Sequence, residues 1–489
     1  MLINMQLWQI TRKIHPSWLI AAAAVGVVVG TAAVPFVGQT LFGSAVWAVV
    51  GLVLAVIVIW QRSVYLIPVI VVAGLLLGLW RGSLLESQLI VYQKLIGHHT
   101  QLNGTVNEDP DIGKHGELLL RLGNVSISGH ALAGKAWVST SHNGDIKRGD
   151  RVVVSGTLGT GFGSFASVMY QAKLVTVMRP QPGDVAGQVR DWFADHVRMA
   201  ISEPQASLGL GYLVGQRRAL PPELSQALVA TGLTHVVVAS GYNLTILVRL
   251  ARRLFVRVSK YLAALSATTM IAGFIAVTGA SPSMSRAGLV AGLSLAAWYY
   301  GRKFHPLVLL PFAAAVTVLI DPTYAWNDLG WQLSFAAFAG VMILAPLLQR
   351  YFFGDKKPGT IRQILGETIS AQILTLPILV LAFGTFSNVA IITNLLVLPL
   401  VPIAMLLTFI AGIGAIVMPG MAAIIGAPAQ WVLAYMTRVV QYFANLSWAQ
   451  AIVTIQPWVV WVAYVLIVAI CIYLWRKTKY DLKDSNLIE

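Results

Sequence analysis

The chain has 489 residues, of which 57% are hydrophobic and 11% charged. Soluble domains carry about 25% charged residues, so a soluble class is excluded and a membrane class follows. The formal charge of +15 does not by itself mark a nucleic-acid surface, because Lys and Arg also gather in the short cytoplasmic loops that fix orientation.

Three spans open the chain, at 17–36, 45–60 and 64–80, near the roughly 20 apolar residues that hydrocarbon requires. Arg12 and Lys13 precede the first and resemble the head of a signal peptide. Two more apolar segments follow at once, so an uncleaved anchor with a cytoplasmic N-terminus is expected. Segment 39–43 is uncharged and Arg62 marks the return loop. The chain is therefore expected outside after Arg81, and 1–84 forms an N-terminal membrane region.

From 85 to 180 the texture changes to short apolar runs alternating with polar residues. Segments 118–122, 135–140 and 151–156 read as strands. Asn103-Gly104, Asn143-Gly144 and Gly159-Thr160-Gly161 read as turns. An OB-like β-barrel is the expected fold and a small sandwich the alternative. The Gly-rich run 159–163 reads as a hairpin turn. Between 81 and 200 twelve Lys and Arg stand against ten Asp and Glu, so charge alone gives no nucleic-acid surface there. Trp137, Phe162, Phe165 and Tyr170 are candidates to stack on bases. A barrel core also needs aromatics, and for each of the four the core is the favoured place. The single cysteine, Cys471, excludes an intrachain disulfide.

Residues 181–230 read as a linker followed by amphipathic helix. Within 185–202, Trp192, Phe193 and Val197 alternate with Arg190, Asp191, Asp195 and Arg198. This helix lies on the membrane surface or packs as a connector on the barrel. The second membrane block, 231–475, has spans at 231–247, 262–278, 285–300, 306–320, 329–347, 364–383, 388–418 and 457–475. Segment 422–446 spans or lies at the outer interface, so the expected total is about ten to twelve. Arg249, Arg252, Arg253, Arg257 and Lys260 fall inside, as do Arg302, Lys303, Lys356, Lys357 and Arg362. Tail 476–489, with Arg476, Lys477 and Lys479, is cytoplasmic.

Several polar residues fall in the outer halves of these spans. His235 is a candidate phosphate ligand or pH sensor, or a paired core histidine. Ser240-Gly241 breaks a helix and frees N–H groups for an anion, or lets helices pack closely. Asn243 faces the bundle interior, either a pore or a packed seam. Arg286 attracts phosphate or snorkels to headgroups. Gln332, Ser334 and Asn394, together with His235 and Arg286, would form a polar, mildly positive entry, with Ser240-Gly241 about midway through its span and Asn243 a turn deeper. No phosphate-cradling Gly-x-x-x-x-Gly-Lys-Ser/Thr, His-Glu-x-x-His or Cys-x-x-Cys occurs. Neither an ATPase nor a metal-hydrolase site is expected, and no cofactor.

Residues 211–250 contain Gly215 followed by basic residues, Leu220-Pro221-Pro222-Glu223-Leu224, Thr231-Gly232-Leu233-Thr234-His235 and Ala239-Ser240-Gly241. Further on come Thr278-Gly279-Ala280-Ser281-Pro282-Ser283 with Arg286-Ala287, Gly301-Arg302-Lys303, Asp321-Pro322, Gln332-Leu333-Ser334-Phe335, and Asn394-Leu395-Leu396 with Pro399. In order and spacing these blocks resemble the ComEC-type competence proteins, inner-membrane channels for transforming DNA. The resemblance covers nearly the whole chain and implies an OB-like domain before the channel core. It also implies single-stranded DNA as cargo, an external DNA receptor, and a cytoplasmic ATP-driven translocase. The family usually has a histidine soon after the Ser-Gly pair, where this chain has Tyr242 and Asn243. Many members carry a C-terminal metallo-β-lactamase-like domain. This sequence ends soon after its last span, so a separate nuclease is expected.

The resulting expectation is a polytopic α-helical protein of the bacterial inner membrane that passes single-stranded DNA inward. The alternatives are a transporter of a smaller anionic solute or lipid, and a scaffold that docks other uptake proteins.

Overall fold

Glycine decides how the first helices meet. In the computed structural model α1 (Pro16–Val37) packs along α3 (Ile67–Leu95), with α2 (Ala45–Gln61) beside α3. The structure describes residues 13–37, 41–113, 116–141, 145–216, 220–237, 241–279, 281–301, 305–354 and 358–479. A Cβ added at Gly26 or Gly30 would lie 2.2 Å from the carbonyl oxygen of Val71 or Leu75. At Gly74 and Gly78 it would lie 2.0 and 2.2 Å from those of Ala23 and Val27. In lipid, apolar side chains gain little by leaving hydrocarbon, so helices associate by such close backbone approach. The Thr31 hydroxyl adds a bond across the seam to the Gly78 carbonyl, at 3.2 Å. Val46, Val49, Val53 and Val56 of α2 stay exposed, as a lipid-facing surface would.

Helix α3 has 29 residues, about 44 Å at 1.5 Å per residue, and its C-terminal end enters the sheet domain. Tyr92 is buried there with Leu102, Val138 and Met169. The strands are β1 (His99–Val106), β2 (Asp111–Ile112), β3 (Leu118–Ile127), β4 (His130–Ala131), β5 (Lys135–Thr140), β6 (Arg151–Thr160), β7 (Phe165–Met169) and β8 (Lys173–Met178). Their order is β1-β3-β5-β7-β6-β8, with β1 also paired to β6. Strands β5 and β7 are parallel and the other pairs antiparallel. Leu118, Leu120 and Leu122 point into the core, as do Val152, Val154 and Leu158. This is the period-two pattern of a half-buried strand.

The strands expected at 118–122, 135–140 and 151–156 are present, but two expected turns are not as placed: Gly159 and Thr160 are paired residues of β6, with the chain reversing after them. Asn103 and Gly104 lie inside β1, at a register shift against β3. A Cβ on Gly104 would come within 3.0 Å of the Leu122 Cβ, so this glycine serves close strand packing rather than chain reversal. Asn143-Gly144 lies outside the described residues.

Asp184 caps the next helix, α4 (Val185–Ala200), accepting the Gly187 N–H at 3.0 Å. The sequence allowed it to lie on the membrane surface or on the barrel. It packs mainly on the bundle. Ala194, Val197 and Ala200 are buried, and a Cβ on Gly426 would meet the Ala200 carbonyl at 2.1 Å.

Then follow α5 (Gln205–Val214), α6 (Pro222–Ala230), α7 (Thr234–Val237), α8 (Gly241–Phe255), α9 (Lys260–Thr278), α10 (Pro282–Tyr299), α11 (Pro306–Ile320) and α12 (Thr323–Asn327). The span expected at 231–247 does not begin as helix: Gly232 turns the chain at φ 71°, helix resumes in α7, and α8 is described from Gly241 onward. Helix α13 (Leu329–Ala339) continues through a π-turn, Gly340–Leu344, into α14 (Ala345–Phe353). Next come α15 (Thr360–Phe383), β9 (Thr385–Ser387), α16 (Ala390–Val397), α17 (Val401–Val417), α18 (Ala422–Ala444), β10 (Gln450–Ile452) and α19 (Pro457–Thr478). Strands β9 and β10 pair, joining two helix ends.

Eight helices among the described residues are long and apolar enough to cross a membrane, with α2 and α11 apolar but shorter. The segment containing α18 is one of the eight. Helix α19 buries Leu474 alone and exposes Trp458 and Trp461 near one end and Tyr473 and Trp475 near the other. Such aromatic girdles mark the two interfaces of a bilayer. The protein is a multi-pass membrane protein carrying a sheet domain.

Candidate functional site

The sheet domain is bolted to the bundle by charges. Lys135 of β5 pairs with Asp321 at 3.0 Å, at the junction of α11 and α12, and its ammonium lies 5.2 Å from the Tyr324 ring centre. Arg148, between β5 and β6, pairs with Asp184 and donates to the Ala276 carbonyl at 2.8 Å. A cation there complements the free carbonyls at the end of α9. Arg190 is buried and forks onto Asp109 and Asp191. Arg148, Arg179 and Arg190 line a cavity of about 270 Å³ together with Asp109, Asp150 and Asp184. Its charges are balanced, so it is a joint between domains.

Beside these joints lies a charge that is not balanced. Arg286 of α10 is 3% exposed. One guanidinium nitrogen, Nη2, donates to the Gly330 carbonyl at 2.8 Å, at the start of α13. Nε and Nη1 are buried and have no partner. Asp328 and Tyr324 are within electrostatic reach, but the Asp328 carboxylate is engaged as the cap of α13, accepting the Trp331 N–H at 2.6 Å. An uncompensated cation in a bundle is costly, so such residues face a partner, a cavity or a substrate path.

Helix α8 begins against the same helix. A Cβ on Gly241 would lie 3.2 Å from the Cβ of Ala287, the residue after Arg286. The first described turn of α8 therefore packs on α10 at the residue that follows Arg286. Gly241 and Arg286 thus meet at α10, and Gln332 and Ser334, both half-buried on α13, follow Gly330 by two and four residues.

The other expected residues are placed elsewhere. Asn243 is fully buried and donates to the Tyr212 carbonyl of α5 at 3.0 Å. His235 is exposed on α7. Asn394 is buried on α16 with its Oδ1 unpartnered, beside Thr393, whose hydroxyl donates to the Thr231 carbonyl at 2.9 Å. Ser240 lies outside the described residues.

The four aromatic residues of the sheet domain are not in its core. Trp137 lies 5.7 Å from Phe162 and 5.4 Å from Tyr170, ring centre to ring centre, and Phe162 lies 5.5 Å from Phe165. Phe162 is 48% and Tyr170 62% exposed. The core is filled instead by Leu and Val from β1, β3 and β6, which leaves the outward side of β5 and the β6–β7 turn to the aromatics.

Sequence reasoning passed over Asp328, Asp321, Lys135 and Arg148. Asp328 carried a readable signal, an Asp one residue before an apolar helix. The docking pairs join residues 186 and 36 positions apart, a separation that no local pattern reveals.

A family model described as "Competence protein" matches residues 212–478. ComE operon protein 3 of Bacillus subtilis (strain 168) is 25% identical over 202 residues, 41% of this chain and 25% of that protein. The similarity thus spans a quarter of the relative's length. No solved structure matches the chain.

Proposed function

The chain belongs to the competence protein family, and on that premise we propose that it lines a path through which single-stranded DNA passes inward during natural transformation. The observation that carries this reading is the buried Arg286 with two unpartnered donors, on a helix that packs against α8 and α13. A phosphate passing there meets a preformed pair of guanidinium N–H groups. The exposed aromatic cluster of the sheet domain offers a stacking platform for bases ahead of that point.

In this reading the sheet domain is OB-like and extracytoplasmic, and both termini are cytoplasmic. The sheet is not the closed barrel the sequence led one to expect; the strand order β1-β3-β5-β7-β6, with β5 and β7 parallel, is what supports the first. The alternation of basic loops supports the second. External DNA reaches the chain from a separate receptor, and a cytoplasmic ATP-driven translocase pulls the strand.

The test is an Arg286→Gln allele in a naturally transformable host, scored for protein abundance, surface-bound DNA and DNA entry. Entry should fall by at least about tenfold, since a hydrogen bond to a charged group is worth about 1.5–3 kcal/mol, while abundance and surface binding hold. Normal entry would overturn the reading. Orientation is checked with cysteines at the exposed Lys173 and at Ser485 in a Cys471→Ala background. An impermeant thiol reagent should label the first from outside and the second from the cytoplasmic face.

A further inference from the structure

The far end of α8 carries a different arrangement. Arg249, Arg252, Arg253 and Val256 line a cavity of about 60 Å³. At about 30 Å³ of liquid per water, that is room for one small polar group rather than for a nucleotide. The four positions follow the i, i+3, i+4, i+7 spacing that places side chains on one helix face. Packing does not require them there, because α8 meets α9 and α10 through Leu244, Val248 and Ala251.

The cations are held in place. The Arg252 guanidinium lies 4.3 Å from the Trp298 ring centre, and the Lys260 ammonium lies 5.7 Å from the same ring. Glu367 of α15 is within electrostatic reach of Arg249, and the cavity's lining among the described residues is the three arginines and Val256. Three guanidinium groups around one small cavity form a site for a doubly or singly charged oxyanion. The surroundings narrow the class. Leu250, Leu254, Phe255 and Val258 are exposed next to the arginines, and Tyr261 and Tyr300 are exposed at the same end of the bundle. Interfacial tyrosines mark headgroup depth. A free phosphate has nothing to lay on the leucines, and a DNA strand would bring polar sugars to them.

We propose that this cavity binds the headgroup phosphate of an anionic phospholipid, with the acyl chains lying along Leu250, Leu254 and Phe255. The site is independent of the transport path at the other end of α8.

The full chain in detergent is titrated with short-chain phosphatidylglycerol, phosphatidylcholine of the same chains, inorganic phosphate and oligothymidylate. Bound lipid is read by native mass spectrometry and the shift in thermal midpoint is followed in parallel. Phosphatidylglycerol should bind saturably, and phosphatidylcholine at least about tenfold more weakly. Combining Arg249→Gln, Arg252→Gln and Arg253→Gln should weaken phosphatidylglycerol by at least about tenfold, whereas Arg257→Gln, outside the cavity, should not. Arg253→Gln alone, at an exposed position, carries the comparison if the triple variant fails to accumulate, and should weaken binding by about threefold. Equal binding of the two lipids, or unchanged binding in the variants, overturns the proposal. Displacement by inorganic phosphate or oligothymidylate at matched concentration also overturns it, and assigns the arginines to a free anion or to DNA.

Discussion

The seam between α1 and α3 and the junction of α8, α10 and α13 solve opposite problems. At the seam, side chains are removed until backbones touch, and the polar group at its centre, Thr31, is paired to carbonyls on both helices. At the junction, a guanidinium is buried with two donors unused. The first is what adhesion in lipid calls for. The second is what adhesion alone would eliminate, because burying a charge that is not paired is costly. In a chain with so little charge, this buried guanidinium is what the proposed path rests on.

The seam predicts the largest effect. Gly78→Ala places a methyl 2.2 Å from the Val27 carbonyl oxygen, and neither backbone can yield without parting the helices. Overpacking of this kind costs about 1–3 kcal/mol, occasionally more, and Gly78→Leu more than Gly78→Ala. Membrane abundance should fall by about tenfold for the leucine variant, seen by immunoblot and by gel filtration in detergent. Gly273→Ala, in open space, should be silent. Wild-type abundance for Gly78→Leu would remove the seam from the argument.

The junction predicts the reverse pattern. Arg286→Met should leave abundance intact and raise the thermal midpoint, because it removes a buried charge that has no paired anion, while DNA entry is lost. A variant more stable and less active separates a functional charge from a structural one. If Arg286→Met destabilises the protein, the guanidinium is structural and the comparison fails.

Much of this was legible in the sequence. The membrane class follows from composition, and the strands β3, β5 and β6 follow from alternation that lattice-like pairing imposes on a half-buried sheet. Arg286 stood out as a charge at the head of an apolar segment. Other features were hidden for physical reasons. Asn103-Gly104 has the composition of a turn, but glycine also serves where a neighbouring strand comes close. The aromatics Trp137, Phe162, Phe165 and Tyr170 have core-like composition. Whether they face in or out depends on how many aliphatic residues the other strands supply. The Gly26/Gly30 and Gly74/Gly78 pairs are visible as spacings, yet the partner of each is fixed by three dimensions.

The sheet domain offers a smaller effect. The four aromatics are held on one surface while the core lies elsewhere, so Trp137→Ala and Tyr170→Ala should leave folding unchanged. Each stacked base contributes about 1–3 kcal/mol, so either change should weaken binding of oligothymidylate to the full chain by about fivefold or more. Titration at low salt reads this directly. With near-balanced charge between 81 and 200, the salt slope should be shallow, about two to four phosphates neutralised. Unchanged affinity in both variants would leave the domain as a docking module.

The smallest expected effect concerns the joint that holds the sheet domain beside Arg286. Burial pushes the Asp184 carboxyl up, but bonds from Arg148 and the Gly187 N–H, with the charges of Arg148 and Arg190, outweigh it and hold the group below its ordinary value of 3.8. A depressed carboxylate contributes its stability in full above that ordinary value, and the contribution is lost as pH falls through the lower folded value. Around the joint, Lys147, Arg179, Asp109, Asp150 and Asp191 line the same cavity, so protonation of Asp184 leaves an excess of positive charge there. Solvent reaches the group, which keeps the contribution below about 1 kcal/mol. Hydrogen exchange at the start of α4, followed from pH 6 downward, should therefore stay protected through the ordinary carboxylate range and rise below it. Asp184→Asn should remove that dependence and loosen α4 at every pH, because it deletes the charge that Arg148 grips. If the exchange of Gly187 and Gln188 is indifferent to pH in the native chain, the Arg148–Asp184 pair is not what fastens the domain. The weight of docking would then fall on Lys135 and Asp321.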